Sequence, residues 1–96
     1  MKSAGCDRIL LAPLYPQYSG ATTATANDAA FAALRAMRWQ PAIRTLPPYH
    51  DDPAYIAALN FSIEDSIAKL DFTPDALLAS FHGMPERTLH LGDPYH

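Results

Sequence analysis

Three short apolar runs, each closed by proline or by a loop rich in glycine and proline, alternate along this chain with two stretches of helical periodicity. No other feature restricts the fold as much. The runs are Asp7-Arg8-Ile9-Leu10-Leu11-Ala12-Pro13-Leu14, Ala42-Ile43-Arg44-Thr45-Leu46 and Ala76-Leu77-Leu78-Ala79-Ser80-Phe81. The first is continuously apolar and does not alternate, as expected of a strand covered on both faces. From about Thr23 to Arg38 the pattern is helical: Ala26, Ala29, Ala30, Ala33, Leu34 and Met37 share one face. Asp28 falls in an early turn and Arg35 and Arg38 near the end, as the helix dipole favours, before Gln40-Pro41 stops the helix. The alanines let this helix lie close against a sheet. Asp51-Asp52-Pro53 is a strong helix start, with Asp52 at the N-cap and Pro53 at the first helical position. Ile56, Leu59, Ile63, Ile67 and Leu70 then mark one stripe, and Thr73-Pro74 ends it.

The order is β-α-β-α-β with short connections. It predicts an α/β fold with a parallel sheet and right-handed crossovers, half of a doubly wound sheet. The three strand-to-helix loops, around Tyr15, around Tyr49-His50 and around His82, then fall on one sheet edge, where a ligand can touch all three. Three strands with two crossover helices leave sheet edges uncovered. The chain also starts just before its first strand and stops within a loop. It therefore reads as part of a larger domain, or as a unit that needs partners.

Composition narrows the function classes. Ninety-six residues make at most one small domain, and 49 % hydrophobic residues suit a core rather than a disordered segment. The net charge of −3 and the absence of a basic block argue against binding nucleic acid through its phosphates. A single cysteine, Cys6, supports neither an intrachain disulfide nor a cysteine-based zinc site. With no apolar stretch of spanning length and no secretory leader pattern, the expected location is cytoplasmic.

The chemistry concentrates on His82. It lies in Ser80-Phe81-His82-Gly83-Met84-Pro85, at the carboxyl end of the third predicted strand, and Gly92-Asp93-Pro94-Tyr95 follows ten residues later. An imidazole there stands where open α/β sheets put their chemistry. Its alternative is a histidine that only packs at a strand end. Gly83 and Pro85 shape the turn, and Asp93-Pro94 is either a plain turn or part of the site wall. His50 with Asp51 and Asp52 looks like a metal cluster on paper, but carboxylates before Pro53 are better explained as a helix cap. His90 and His96 show no site spacing.

Leu14-Tyr15-Pro16-Gln17-Tyr18-Ser19-Gly20-Ala21-Thr22-Thr23, Ser80-Phe81-His82-Gly83-Met84-Pro85 and Gly92-Asp93-Pro94-Tyr95 together resemble ferrochelatase, most closely its bacterial members. The resemblance covers essentially the whole chain but only an internal part of the family's length. It implies a Rossmann-like, chelatase-type fold of two similar halves with a porphyrin between them. Residues 1–96 would then be part of the N-terminal half, with the second half absent. That second half carries the family's catalytic glutamate, which no residue here can replace.

The reaction implied is insertion of Fe²⁺ into a porphyrin in haem biosynthesis, with Fe²⁺ as substrate and no bound prosthetic group. Such chemistry needs a ligand that can pass on Fe²⁺ and a base for two pyrrole protons, and imidazole suits both. The resemblance puts His82 on the family's active-site histidine, as catalytic residue and metal ligand, without choosing between metal binding and proton abstraction. Tyr15 falls on an aromatic position lining the porphyrin pocket. Ser19, Thr22 and Thr23, at a helix start, could receive a propionate, although capping of that helix is the simpler reading. Some members bind an iron–sulfur cluster through a cysteine just after Ser19. Gly20 stands there instead, so this segment does not support such a cluster.

Two alternatives stand beside this reading. A cobalt or nickel chelatase of another tetrapyrrole would use the same kind of histidine, though the Pro-Gln-Tyr-Ser motif favours the iron enzyme. The isolated chain, lacking the second half, would be inactive and could self-associate through its sheet edges. Peripheral membrane association of the parent enzyme stays open.

Overall fold

Parallel strands cannot be joined by a tight turn, so the first two apolar runs can pair only if the chain between them crosses over. The computed structural model, which describes residues 5–96, builds that unit. Strand β1 (Arg8–Leu11) pairs in parallel with β2 (Ala42–Thr45), in the register Arg8↔Ala42 through Leu11↔Thr45. Two further bonds of 2.8 Å, Ala42 N–H to the Asp7 carbonyl and Leu46 N–H to the Leu11 carbonyl, extend the ladder at each end.

Helix α1 (Thr23–Arg35) makes the crossover. It stops a turn short of the expected Arg38. The Ala36 and Met37 N–H groups bond three residues back, to Ala33 and Leu34, and Gln40 Nε2 donates to the Leu34 carbonyl at 3.0 Å. A tightened last turn and a side-chain cap thus satisfy the carbonyls left free at the helix end. Helix α2 (Pro53–Ala68) starts where the sequence puts it. Asp52 Oδ1 accepts from the Ala54 and Tyr55 N–H groups at 2.9 and 3.3 Å, with Pro53 at the first helical position.

The third strand does not form. Residues 76–81 carry no regular structure, and Leu77, Leu78 and Phe81 are 67, 91 and 82 % exposed. A parallel strand is held by a neighbour's N–H and C=O groups and by cover on both faces. The two-stranded sheet, β1-β2, lends this segment neither. The described residues thus form β-α-β-α, an α/β arrangement of alternating parallel strands and helices.

An additional short helix, α3 (Glu86–His90), follows Pro85. It ends with Gly92 at φ 84°, a conformation that favours glycine. The Gly92 N–H returns to the Leu89 carbonyl at 2.9 Å and the Asp93 N–H to the Thr88 carbonyl at 3.0 Å. These are the two bonds of a Schellman motif, and they fix the direction in which the chain leaves α3 at Asp93.

Among the described residues no hydrophobic side chain is buried. The α2 stripe of Ile56, Leu59, Ile63, Ile67 and Leu70 stays roughly 40–50 % exposed, and neither α1 nor α2 is packed extensively on the sheet. The radius of gyration is 18.6 Å, against about 12.5 Å for a compact domain of this length. The apolar faces that define the fold pattern are formed but not covered.

Candidate functional site

Among the described residues the side chain most completely withdrawn from solvent is polar: Ser19, at 0 % exposure. It sits in the loop between β1 and α1. Its carbonyl accepts from the Thr22 and Ala24 N–H groups at 3.1 and 3.2 Å, and its Oγ accepts from the Ala21 N–H at 3.1 Å. That turn starts α1. The Thr22 side chain makes no capping bond, so the expected hydroxyl cap on the helix is not formed by Thr22 or Thr23. Thr23 is buried, and its Oγ1 finds no partner, like Asn27 Oδ1 one turn later.

Ser19 also donates its hydroxyl to Asp93 Oδ2 at 2.9 Å, and the Gly20 N–H donates to the same oxygen at 2.7 Å. The other oxygen, Oδ1, accepts from the Tyr95 N–H at 3.0 Å. The Tyr95 hydroxyl in turn donates to the His82 carbonyl at 3.0 Å. One carboxylate thus links the first loop to the last, and Tyr95 carries the link to His82. The Tyr95 N–H first, then the Gly20 N–H, with Ser19 Oγ and nearby His96 adding to them, hold the Asp93 carboxyl below the usual carboxylate range.

An open cleft of about 450 Å³ lies along this network, lined by Tyr15, Gln17, Ser19, Thr22, His82, Met84 and Tyr95 among others. Its volume suits a small-molecule ligand. The structure brings His82, Tyr15, Ser19 and Thr22 together at this cleft; Thr23 does not line it. The loop after β2 joins the same edge. The Tyr49 N–H donates to the Pro16 carbonyl at 2.9 Å, and the Tyr49 ring stands edge-on to Tyr55 at 5.4 Å. His50 faces a smaller hollow shared with Gln17, Tyr18, Pro94 and Tyr95. The three loops expected on one edge therefore do meet.

Among the described residues no three His, Cys, Asp or Glu side chains lie close enough to hold a metal ion together, and Asp52 is engaged in capping α2. At Gly20 a Cβ would come within 3.3 Å of Asp93 Oδ2, so any larger residue requires the carboxylate to shift by a few tenths of an ångström. No helix among the described residues is long and apolar enough to cross a membrane.

The sequence leaves Asp93 as either a plain turn or part of the site wall, and it assigns Tyr95 no task of its own. The local half of the signal was legible, since Asp followed by Pro favours a side-chain turn onto the residue two positions on. The other half, a contact to Ser19 and Gly20 more than seventy residues away, leaves no trace in spacing.

The ferrochelatase family model matches residues 1–96. Ferrochelatases of Rhizobium meliloti (strain 1021) and Rhizobium etli (strain ATCC 51251 / DSM 11541 / JCM 21823 / NBRC 15573 / CFN 42) are each 62 % identical to this chain over 96 residues, all of it and 28 % of their own length. The ferrochelatase of Nitrobacter hamburgensis (strain DSM 10229 / NCIMB 13809 / X14) is 57 % identical over 95 residues, 99 % of this chain and 28 % of that protein. The chain thus spans a little over a quarter of the length of the relatives it matches. No solved structure matches it significantly.

Proposed function

The chain belongs to the ferrochelatase family, and on that premise we propose that its cleft is one wall of the site at which the full-length protein inserts Fe²⁺ into a porphyrin. The observation that carries the proposal is the convergence of His82, Tyr15, Ser19 and Thr22 on a single cleft from loops far apart in sequence. A porphyrin is flat and largely apolar. Tyr15, Met84 and Tyr95 offer it a surface of matching character. Ser19 is engaged by Asp93 and Ala21, whereas the Thr22 hydroxyl makes only a long 3.5 Å contact to the Ser19 carbonyl, which makes Thr22 the better placed hydroxyl for a propionate. Thr23 lies off the cleft and keeps no part in this reading.

Insertion replaces two pyrrole N–H bonds by bonds to the metal, and two protons must leave. His82 serves this either as the ligand that hands over Fe²⁺ or as the acceptor of a proton that it then returns to water. One imidazole cannot hold two protons and the incoming metal at once, so the opposite wall must supply a further group. In this reading residues 1–96 are part of a Rossmann-like N-terminal half, in which residues 76–81 pair as a strand once the rest of the sheet is present. The uncovered apolar faces and the 28 % coverage support it.

The test uses the full-length protein that carries this chain. His82→Ala should lower Fe²⁺ insertion at least about 10²-fold, followed as loss of free-porphyrin fluorescence, while porphyrin still binds. Turnover within threefold of the parent would remove His82 from the chemistry.

A second reading applies to the 96 residues alone. Leu14, Leu78 and Phe81 are all more than 80 % exposed. Apolar surface on that scale favours self-association without turnover.

A further inference from the structure

We propose that Asp93 is a positioning residue, a latch that fixes His82 relative to the Tyr15–Ser19 wall of the cleft. The inference rests on the reading of that cleft as the porphyrin site, and deepens it.

The two oxygens of Asp93 do different work. Oδ1 takes the Tyr95 N–H two residues on, a local turn that any Asp-Pro-Tyr segment can form. Oδ2 takes the Gly20 N–H and the Ser19 hydroxyl, 73 and 74 residues away in sequence. A plain turn needs only the first. The second joins the C-terminal loop to the start of α1, and it does so at the one side chain among the described residues that is fully withdrawn from water. Both flanks are built for the contact. Gly92, in its left-handed conformation, ends α3 so that Asp93 follows directly, and Gly20 lacks the Cβ that would crowd Oδ2.

Tyr95 passes the constraint on. Its N–H is held by Asp93 and its hydroxyl by the His82 carbonyl. Among the described residues no strand ladder reaches His82, and where residues 76–81 pair as a strand in the full-length protein that ladder ends one residue before it. The bond from Tyr95 is the tie that reaches it from the other cleft wall. In such a site a displacement of the reacting group by an ångström costs rate while leaving the bound ligand's remaining contacts intact.

Asp93→Asn is the sharp probe. An amide can keep one of its two roles, but in either orientation its NH₂ faces a backbone N–H, of Gly20 or of Tyr95, and that half of the latch is lost. In the full-length protein Asp93→Asn and Tyr95→Phe should each lower kcat for Fe²⁺ insertion roughly tenfold or more, with KM for the porphyrin within about twofold. The double variant should be no slower than the worse single one, because both cut the same tie. Hydrogen exchange reads the latch without turnover: Asp93→Ala, which removes both acceptor oxygens, should speed exchange at Gly20 and Ala21, and Tyr95→Phe should not. If the Asp93 variants fail to accumulate folded, Ser19→Ala, which removes one of the three bonds to Asp93 along with the acceptor of the Ala21 N–H, should speed exchange at Gly20 and lower kcat by less. Unchanged exchange at Gly20 and Ala21, kcat within twofold of the parent, or losses that multiply in the double variant would each overturn the latch. A parent protein that binds no porphyrin and inserts no Fe²⁺, yet shows the exchange response, would overturn the reading of the cleft and leave the contact standing.

Discussion

The loop edge around Ser19 and the stretch from α2 through residue 81 are opposites in how they are held. At the edge, a serine is fully buried among hydrogen bonds that run from Ser19 and Gly20 through Asp93 and Tyr95 to His82. In the other region, Phe61, Phe72, Leu77 and Leu78 are 61, 61, 67 and 91 % exposed. Hydrogen bonds are short-ranged and directional, and a few loops can satisfy one another. Apolar burial needs area, which two strands and three helices of this size do not supply. The polar edge is complete within these residues, while the apolar faces await cover.

The largest effect that can break this contrast is the separation of the chain from its remainder. The isolated 96 residues should give no catalysed Fe²⁺ insertion and should sediment as a self-associated species that binds a hydrophobic dye. Turnover by a monomer of the isolated chain, lost in His82→Ala, would show that the cleft needs no opposite wall. Next in size is Gly92→Ala, which forces a Cβ into the left-handed region at φ 84°. It should cost about 1–2 kcal/mol in urea unfolding of the full-length protein, and it should raise exchange at Gly20 because Asp93 no longer follows α3 in register. Asp52→Ala tests the other region. It removes the bonds to the Ala54 and Tyr55 N–H groups and should cost about 1 kcal/mol with exchange at Gly20 unchanged.

What the sequence discloses divides along the same line. Local signals were legible: the Asp52-Pro53 start of α2, the end of α1 before Pro41, the pairing of the first two apolar runs and the meeting of three loops on one edge. The end of α3 could also have been read, since Glu86 opens a short run that Gly92 closes. The third run misled because its composition reports how a strand is buried, not whether a partner is present. Residues 76–81 have the same apolar character as β1 and no ladder. The partners of Asp93 were illegible because a carboxylate announces that it will accept hydrogen bonds and says nothing of which distant N–H will donate them.

The smallest expected effect tests how tight the edge is. In Gly20→Ala the new Cβ meets Asp93 Oδ2 at 3.3 Å, so the carboxylate must shift by a few tenths of an ångström. Against that strain, replacing glycine restricts the unfolded chain and is worth about 0.4–1 kcal/mol. The two oppose one another, and the melting temperature should barely move. The titration of Asp93 is the sensitive readout. Hydrogen bonds from Tyr95 and Gly20 lower its pKa in the folded protein, so the stabilisation from the latch is fully present above the ordinary carboxylate value of about 3.9 and is lost as pH falls through the lower, folded value. Followed through its side-chain carboxyl ¹³C shift, the midpoint should lie below the ordinary value in the parent and rise toward it in Gly20→Ala as the 2.7 Å bond lengthens. An unmoved midpoint would mean that the loops yield around the methyl group, and that the edge is held by its hydrogen bonds alone rather than by the close approach that glycine permits.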